Sequence, residues 1–246
     1  MTYKTYNKKY LLGDIHGYWS VIANHIVHNE EKNIGYIQIG DFGIGFGSPE
    51  NEFNRLVQLN DILNEYECDL FIMRGNHDDP AWFRDENFID YKKALNRIAF
   101  VPDYTIINID MENILFVGGA VSIDRNPRRF NMDTFPAWWV DEVFTLDMKR
   151  LQEFENIERI ITHTAPDFCE PLAFNGLVYG YAKNDADLLG DLRKEREDVT
   201  KMANTLMKNG KNNLRGWYYG HFHANHRFIH ENIEFECINI NRFKQL

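Results

Sequence analysis

The feature that most constrains this chain is a repeated ending. Short apolar runs rich in β-formers occur at Tyr10–Leu12, Gly35–Ile39, Leu70–Met73, Arg159–Thr162 and Trp217–Tyr219. Each leads at once into a cluster of Gly and polar residues: Gly13-Asp14-Ile15-His16-Gly17, Gly40-Asp41, Gly75-Asn76-His77-Asp78, His163-Thr164 and Gly220-His221-Phe222-His223. Runs this short and apolar read as buried strands. Between the first three lie helical patterns. Trp19 to Glu31 carries Val21, Ile22, Ile26 and Val27; Pro49 to Tyr66 carries Phe53, Leu56, Val57, Leu59, Ile62 and Leu63. Pro49 suits a first helical turn. The first hundred residues therefore alternate β-α-β-α-β. In open α/β sheets ligands bind off the carboxyl ends of the strands, which is where all five polar clusters fall.

The remainder adds a strand at Ile114–Val117 and an amphipathic helix from Asp187 to Lys208, with Leu188, Leu192, Val199, Met202 and Leu206 on one side. From Tyr218 to Ile240 the pattern is strand after strand. Sheets inside and helices outside define an α/β (α+β) fold. With no Gly-, Ser- or Pro-rich linker and no repeat, residues 1–246 are expected to form one domain. An aromatic content of 14% argues against disorder. The net charge of −10 disfavours long nucleic acid as a partner, though bound metal ions can reverse a local field. Cys68, Cys169 and Cys237 are far apart and odd in number, so reduced buried thiols are expected. The N-terminus lacks a signal-peptide pattern, and no apolar run reaches the ~20 residues of a spanning helix. A soluble cytoplasmic protein with no membrane partner is the expectation.

MRGNHDDP, residues 73–80, carries more chemistry than a turn needs. A turn requires only a Gly and an Asn or Asp. Taken singly, Asp-x-His is usually a capping or surface pair and Gly-Asp a turn. His25, His28, His226 and His230 are read as surface or satisfied residues. Five clusters in this order at strand ends are a different matter. Collected, Asp14, His16, Asp41, Asn76, His163, His221 and His223 are mixed N and O donors suited to Mn, Fe, Zn or Ni. Seven donors exceed one tetrahedral ion and suit two ions sharing a carboxylate.

The order DxH, GD, GNHD, H, GHxH resembles the calcineurin-like metallophosphoesterase superfamily, from Asp14 to His223. The resemblance implies a four-layer β-sandwich of two mixed sheets flanked by helices. It implies two divalent ions, with Mn expected and Fe, Zn or Ni admissible. Asp14, His16 and His223 would hold the first ion, Asn76, His163 and His221 the second, and Asp41 would bridge both. A bridging hydroxide would attack phosphorus in line. His77 would stand beside the leaving group as general acid. The expected partner is a phosphorylated substrate, either a small molecule, a nucleotide or a phosphoprotein. The expected activity is that of a phosphomonoesterase or phosphoprotein phosphatase. The alternatives are a phosphodiesterase or nucleotide pyrophosphohydrolase on the same site, and more remotely a non-catalytic scaffold.

The chain departs from the GDxVDRG block of the family's protein phosphatases. Ile44 stands where that block has its second Asp, and Phe46 where it has Arg. Asp78 or Asp79 is the expected orienter of His77, and Arg74 the expected phosphate contact. Gly118-Gly119-Ala120-Val121-Ser122-Ile123-Asp124-Arg125, followed by Trp138-Trp139-Val140-Asp141-Glu142, resembles a bacterial and phage-type branch with GGAxSxDR before WWxxE. That likeness implies a loop over the metals, with Arg125, Arg128 or Arg129 clamping phosphate and the Trp pair walling the pocket.

Overall fold

The computed structural model describes residues 5–84, 86–130 and 137–246. The chain opens β1 (Lys8–Leu12), α1 (Ser20–Asn29), β2 (Ile34–Ile39), α2 (Pro49–Glu65) and β3 (Asp69–Met73). Ser48 Oγ caps α2 by accepting the Asn51 N–H, and Pro49 fills the first helical position. After the 3-10 turn Pro80–Phe83 come α3 (Ile89–Ala94), β4 (Ile98–Val101), β5 (Thr105–Ile109) and β6 (Glu112–Val117). Then follow α4 (Arg125–Phe130), α5 (Met148–Glu153), β7 (Arg159–Thr162), α6 (Gly176–Ala182) and α7 (Leu188–Lys208). The chain ends with β8 (Gly216–Tyr219), β9 (His226–His230), β10 (Ile233–Cys237) and β11 (Phe243–Gln245).

These strands form two mixed sheets. The first has the order β11-β1-β2-β3-β4 and the second β5-β6-β7-β8-β10-β9. Parallel pairs run through the middle of both, and β11, β5 and β9 pair antiparallel at edges. Side chains alternate faces along each strand, and this places the layers. Leu11, Ile37, Ile39 and Met73 of the first sheet pack on Ile114, Phe116, Ile161 and Tyr218 of the second. The other face of the first sheet, with Leu12, Tyr36, Leu70 and Ile72, packs on α1 and α2 through Ile22, Ile26, Leu56 and Leu63. The other face of the second, with Leu115, Val117, Ile160 and Trp217, packs on α7 through Val199, Met202 and Leu206. The result is helix, sheet, sheet, helix. Cys68, Cys169 and Cys237 are free and buried. Among the described residues no helix is long and apolar enough to cross a membrane.

Candidate metal centre

Both sheets send their polar strand ends to one place. Asp14 and His16 follow β1, Asp41 follows β2, Asn76 and His77 follow β3, His163 follows β7, and His221 and His223 follow β8. The backbone is forced to reach it. His16, Asp41, His221 and His223 all have positive φ, between 43° and 66°. Non-glycine residues adopt that region at a cost, and clusters of them mark functional sites. The neighbouring glycines answer a question of space. A Cβ on Gly40 would lie 2.2 Å from His163 Nδ1, and one on Gly75 would lie 2.1 Å from Asp41 Oδ1. Glycine there lets the strand ends approach the polar side chains directly.

Two donor sets result. Ligand atoms of Asp14, His16, Asp41 and His223 lie within 4.8 Å of one another, as do those of Asp41, His163 and His221. Asp41 belongs to both. His223 Nε2 is 3.1 Å from Asp14 Oδ2 and 3.0 Å from His16 Nε2. His163 Nδ1 lies 3.0 Å from the Ile39 carbonyl, as a donor would, which turns Nε2 toward the site. Asn76 Oδ1 is 3.1 Å from His163 Nε2 and 2.9 Å from His221 Nδ1. Its amide nitrogen donates to Ser122 Oγ at 2.8 Å, so the oxygen is the atom presented inward.

Asp14, Asp41 and His163 are almost fully buried. Burial alone would raise the Asp41 carboxyl, but the adjacent His163 imidazole, with His77 and His16, holds it well below the usual carboxylate range. Burial opposes charge on His163 too, yet Asp41 outweighs it and pushes the imidazole up to about 10. The Asp41 carboxylate thus stays ionised beside a raised His163 imidazole, a place where a cation would fit. The donor chemistry suits divalent ions without thiolates.

His77 shares the cluster without joining either donor set. Its backbone N–H donates to Asp41 Oδ1 at 2.7 Å. Its ring meets His16 edge-on at 5.0 Å and lies nearly parallel to Phe46 at 6.3 Å between centroids. Burial, partly offset by Asp41, holds His77 below its ordinary value.

The expected orienters of His77 do other work. Asp78 accepts the backbone N–H groups of Gly43 and Gly75 at 2.7 Å and those of Phe42 and Ile44 at 3.2 Å. It ties the turn after β2 to the turn after β3. Asp79 caps the 3-10 turn by accepting from Ala81 N–H. Neither makes a hydrogen bond to the His77 ring among those described.

The arginines are engaged in other contacts. Arg74 is buried, and its guanidinium donates to Asp103 at 2.8 Å and to the carbonyls of Asp141, Glu142 and Val143. It staples the segment after Trp139 to β3 and does not line the cavity at the centre. Arg125 pairs with Asp185 and Asp191 at 2.6–2.7 Å. Arg129 stacks on Trp138 at 4.0 Å, and Trp139 packs edge-on against Phe46; neither tryptophan lines the cavity. Arg128 comes nearest. It donates to Ser122 Oγ at 2.6 Å, to the Ala137 carbonyl at 2.6 Å and to the Asn76 carbonyl at 3.3 Å. It braces the Asn76–Ser122 contact. Arg74→Met should destabilise the fold by about 3–5 kcal/mol, because it strands the Asp103 carboxylate and the carbonyls. Guanidinium unfolding measures this. A phosphate contact would instead raise KM without that loss.

Ser122 and Glu142 went unread in the sequence although both lie inside the quoted motifs. Glu142 Oε1 accepts the Ser122 backbone N–H at 3.0 Å, while Oε2 has only a 3.7 Å approach to Arg128. Burial, against the Ser122 and Arg128 contacts, pushes Glu142 up to about 7 from 4.5. The folded chain therefore holds a proton that the unfolded chain releases. The stability from this group is full below about pH 4.5 and is lost as pH rises through about 7. Glu142→Gln should remove that slope. Denaturation at about pH 5 and about pH 8 should show the native protein losing roughly 3 kcal/mol relative to the variant.

Several solved structures align with the chain at low identity. A phosphopantetheinyl hydrolase from Mycobacterium tuberculosis aligns at 13% identity and TM-score 0.46, covering 100% of this chain and 97% of its own. A putative 5'-nucleotidase from Staphylococcus aureus aligns at 16% and 0.43, covering 95% and 48%. A protein serine/threonine phosphatase from Saccharomyces cerevisiae aligns at 15% and 0.36, covering 97% and 70%. No curated protein matches the chain. The family model described as calcineurin-like phosphoesterase matches residues 8–225, and the chain belongs to that family.

Proposed function

We propose that this protein hydrolyses phosphate esters with two divalent ions and His77. The observation that carries the reading is that Asp41 serves both donor sets while the His77 backbone is bonded to that same carboxylate. Asp14, His16 and His223 would hold one ion, Asn76, His163 and His221 the other, and Asp41 would join them. Bound there, the ions would supply Lewis acidity to phosphate oxygens and make water more acidic. Asn76, a neutral donor, leaves more of that acidity intact. Ser122 fixes which Asn76 atom faces inward, and the Ile39 carbonyl fixes His163.

His77 and Asp124 both line the cavity at the centre. In this reading the His77 ring would donate to the leaving oxygen. A phosphate dianion nearby raises its proton affinity, because an opposite charge favours the imidazolium. The oxygen of a water would form the new P–O bond and give up one proton to solvent, the P–O bond to the alcohol would break, and the imidazolium form of His77 would give the departing oxygen its proton and recover one from solvent. Mn²⁺ is the expected metal, and the preferred substrate is a monoester.

Turnover of p-nitrophenyl phosphate beside bis-p-nitrophenyl phosphate, with Mn²⁺ and with chelator, tests the reading. Mn²⁺-dependent hydrolysis abolished by chelator supports it, and the monoester should be the faster. Equal residual activity in chelator would refute it.

A further inference from the structure

The cavity at the centre has two unlike halves. One is the polar set of His16, Asp41, Asn76, His77, His221 and His223. The other is apolar, with Ile123, Phe174, Leu177, Val178, Tyr181 and Phe222 on its walls. Together they enclose about 330 Å³, near the small end of the range for small-molecule sites. The apolar half is a built wall. Val178 packs with Val121, Leu188 and Leu192, and Phe174 and Tyr181 pack against that cluster. This fixes α6 and the turn before it over the loop from Gly118 to Asp124.

The charges around the wall are already engaged. Arg196 is the one arginine among the described lining residues, and there is no lysine. Its guanidinium donates to the carbonyls of Pro166 at 2.7 Å, Cys169 at 2.6 Å and Pro171 at 3.1 Å. It also lies 5.0 Å over the Phe222 ring, so it closes the wall. Glu195 is buried and accepts the Val121 N–H at 2.6 Å. A second phosphate would find no free cation among the described residues of this half and would lose its water. An uncharged ring would lose nothing and would bury apolar surface.

We infer that the substrate's organic half is uncharged and apolar, of one- or two-ring size, and seats on α6 while its single phosphate lies at the donor sets. This rests on the phosphoesterase reading. It names the substrate class as phosphate monoesters of apolar alcohols or phenols. Phe174 and Leu177 are the selecting residues. Leu177 is 60% exposed, so replacing it leaves the core intact.

The test has a binding arm and a turnover arm on the Mn²⁺-loaded full chain. Naphthylmethylphosphonate and methylphosphonate, neither hydrolysable, are compared by calorimetry. The naphthyl compound should bind at least about 30-fold tighter, the gain from burying roughly 80 Å² of ring. Its heat-capacity change should be negative. Leu177→Asn and Phe174→Ala should each cut the preference about three- to tenfold. In the turnover arm, 1-naphthyl phosphate should exceed glycerol 2-phosphate in kcat/KM. Equal affinity for the two phosphonates, or a preference untouched by both variants, overturns the inference. A naphthyl preference with neither ester turned over leaves the apolar seat standing and refutes the phosphoesterase reading.

Discussion

His77→Ala is expected to lower kcat on p-nitrophenyl phosphate by about 10²–10⁴-fold, the usual contribution of a positioned general acid. Metal content should not change. The two effects separate because of where His77 sits. Its backbone N–H, which survives the substitution, is the group bonded to Asp41. Its ring belongs to neither donor set. The ring is only half-buried, so folding should be kept. Metal analysis of the purified variant beside its kinetics decides the matter. A metal-free variant would make His77 a ligand. Metal-replete protein at full activity would remove it from the chemistry. The deficit should be smaller for esters with better leaving groups, which need less proton donation.

Asp41→Asn should weaken both ions at once. The side chain is buried and faces donors on both sides. Removing one charge of a buried pair costs about 3–5 kcal/mol. At about 1.4 kcal/mol per tenfold, that is roughly 100- to 3000-fold in metal affinity. Asparagine has the same shape, so the change isolates charge. The variant should lose both ions on dialysis and recover little activity except at high Mn²⁺. Two retained ions would show that Asp41 does not bridge. Without ions, His163 should also lose the partner that pushes it up to about 10, so its imidazole should titrate at lower pH in the variant.

Much of the layout was legible because burial is written in composition. The runs at Tyr10–Leu12, Gly35–Ile39, Leu70–Met73 and Arg159–Thr162 fall inside or upon observed strands. Their polar endings converge because parallel strands put their carboxyl ends on one edge. The helix from Pro49 was marked by its proline and its stripe. The hairpins were harder. β5 turns into β6 at Asp110-Met111, and β9 into β10 at Glu231-Asn232, all with φ between 49° and 64°. Such tight turns usually advertise Asn-Gly or Asp-Gly; Met111 and Glu231 give no such signal.

The seven donors could be collected from sequence because each sits beside a strand end. The arginines could not be placed that way. An Arg in a loop looks the same whether it meets phosphate or backbone carbonyls. Arg74 finds Asp103, 29 residues on, and the chain near Glu142. Those partners are set by tertiary packing. Asp78 misleads for the same reason. It follows His77 in sequence, yet its carboxylate turns back to four amides. Phe46 stands in the place of a family arginine, and nothing in the sequence announces that its ring lies nearly parallel to that of His77.

The most direct measurement is the stoichiometry and magnetic coupling of bound Mn²⁺. The full chain would be titrated with Mn²⁺ and examined by electron paramagnetic resonance as it fills. Two ions per chain, with a spectrum broadened by exchange between them, is the predicted result, because both would share Asp41. One ion at saturation, or two that remain magnetically independent, would contradict the account.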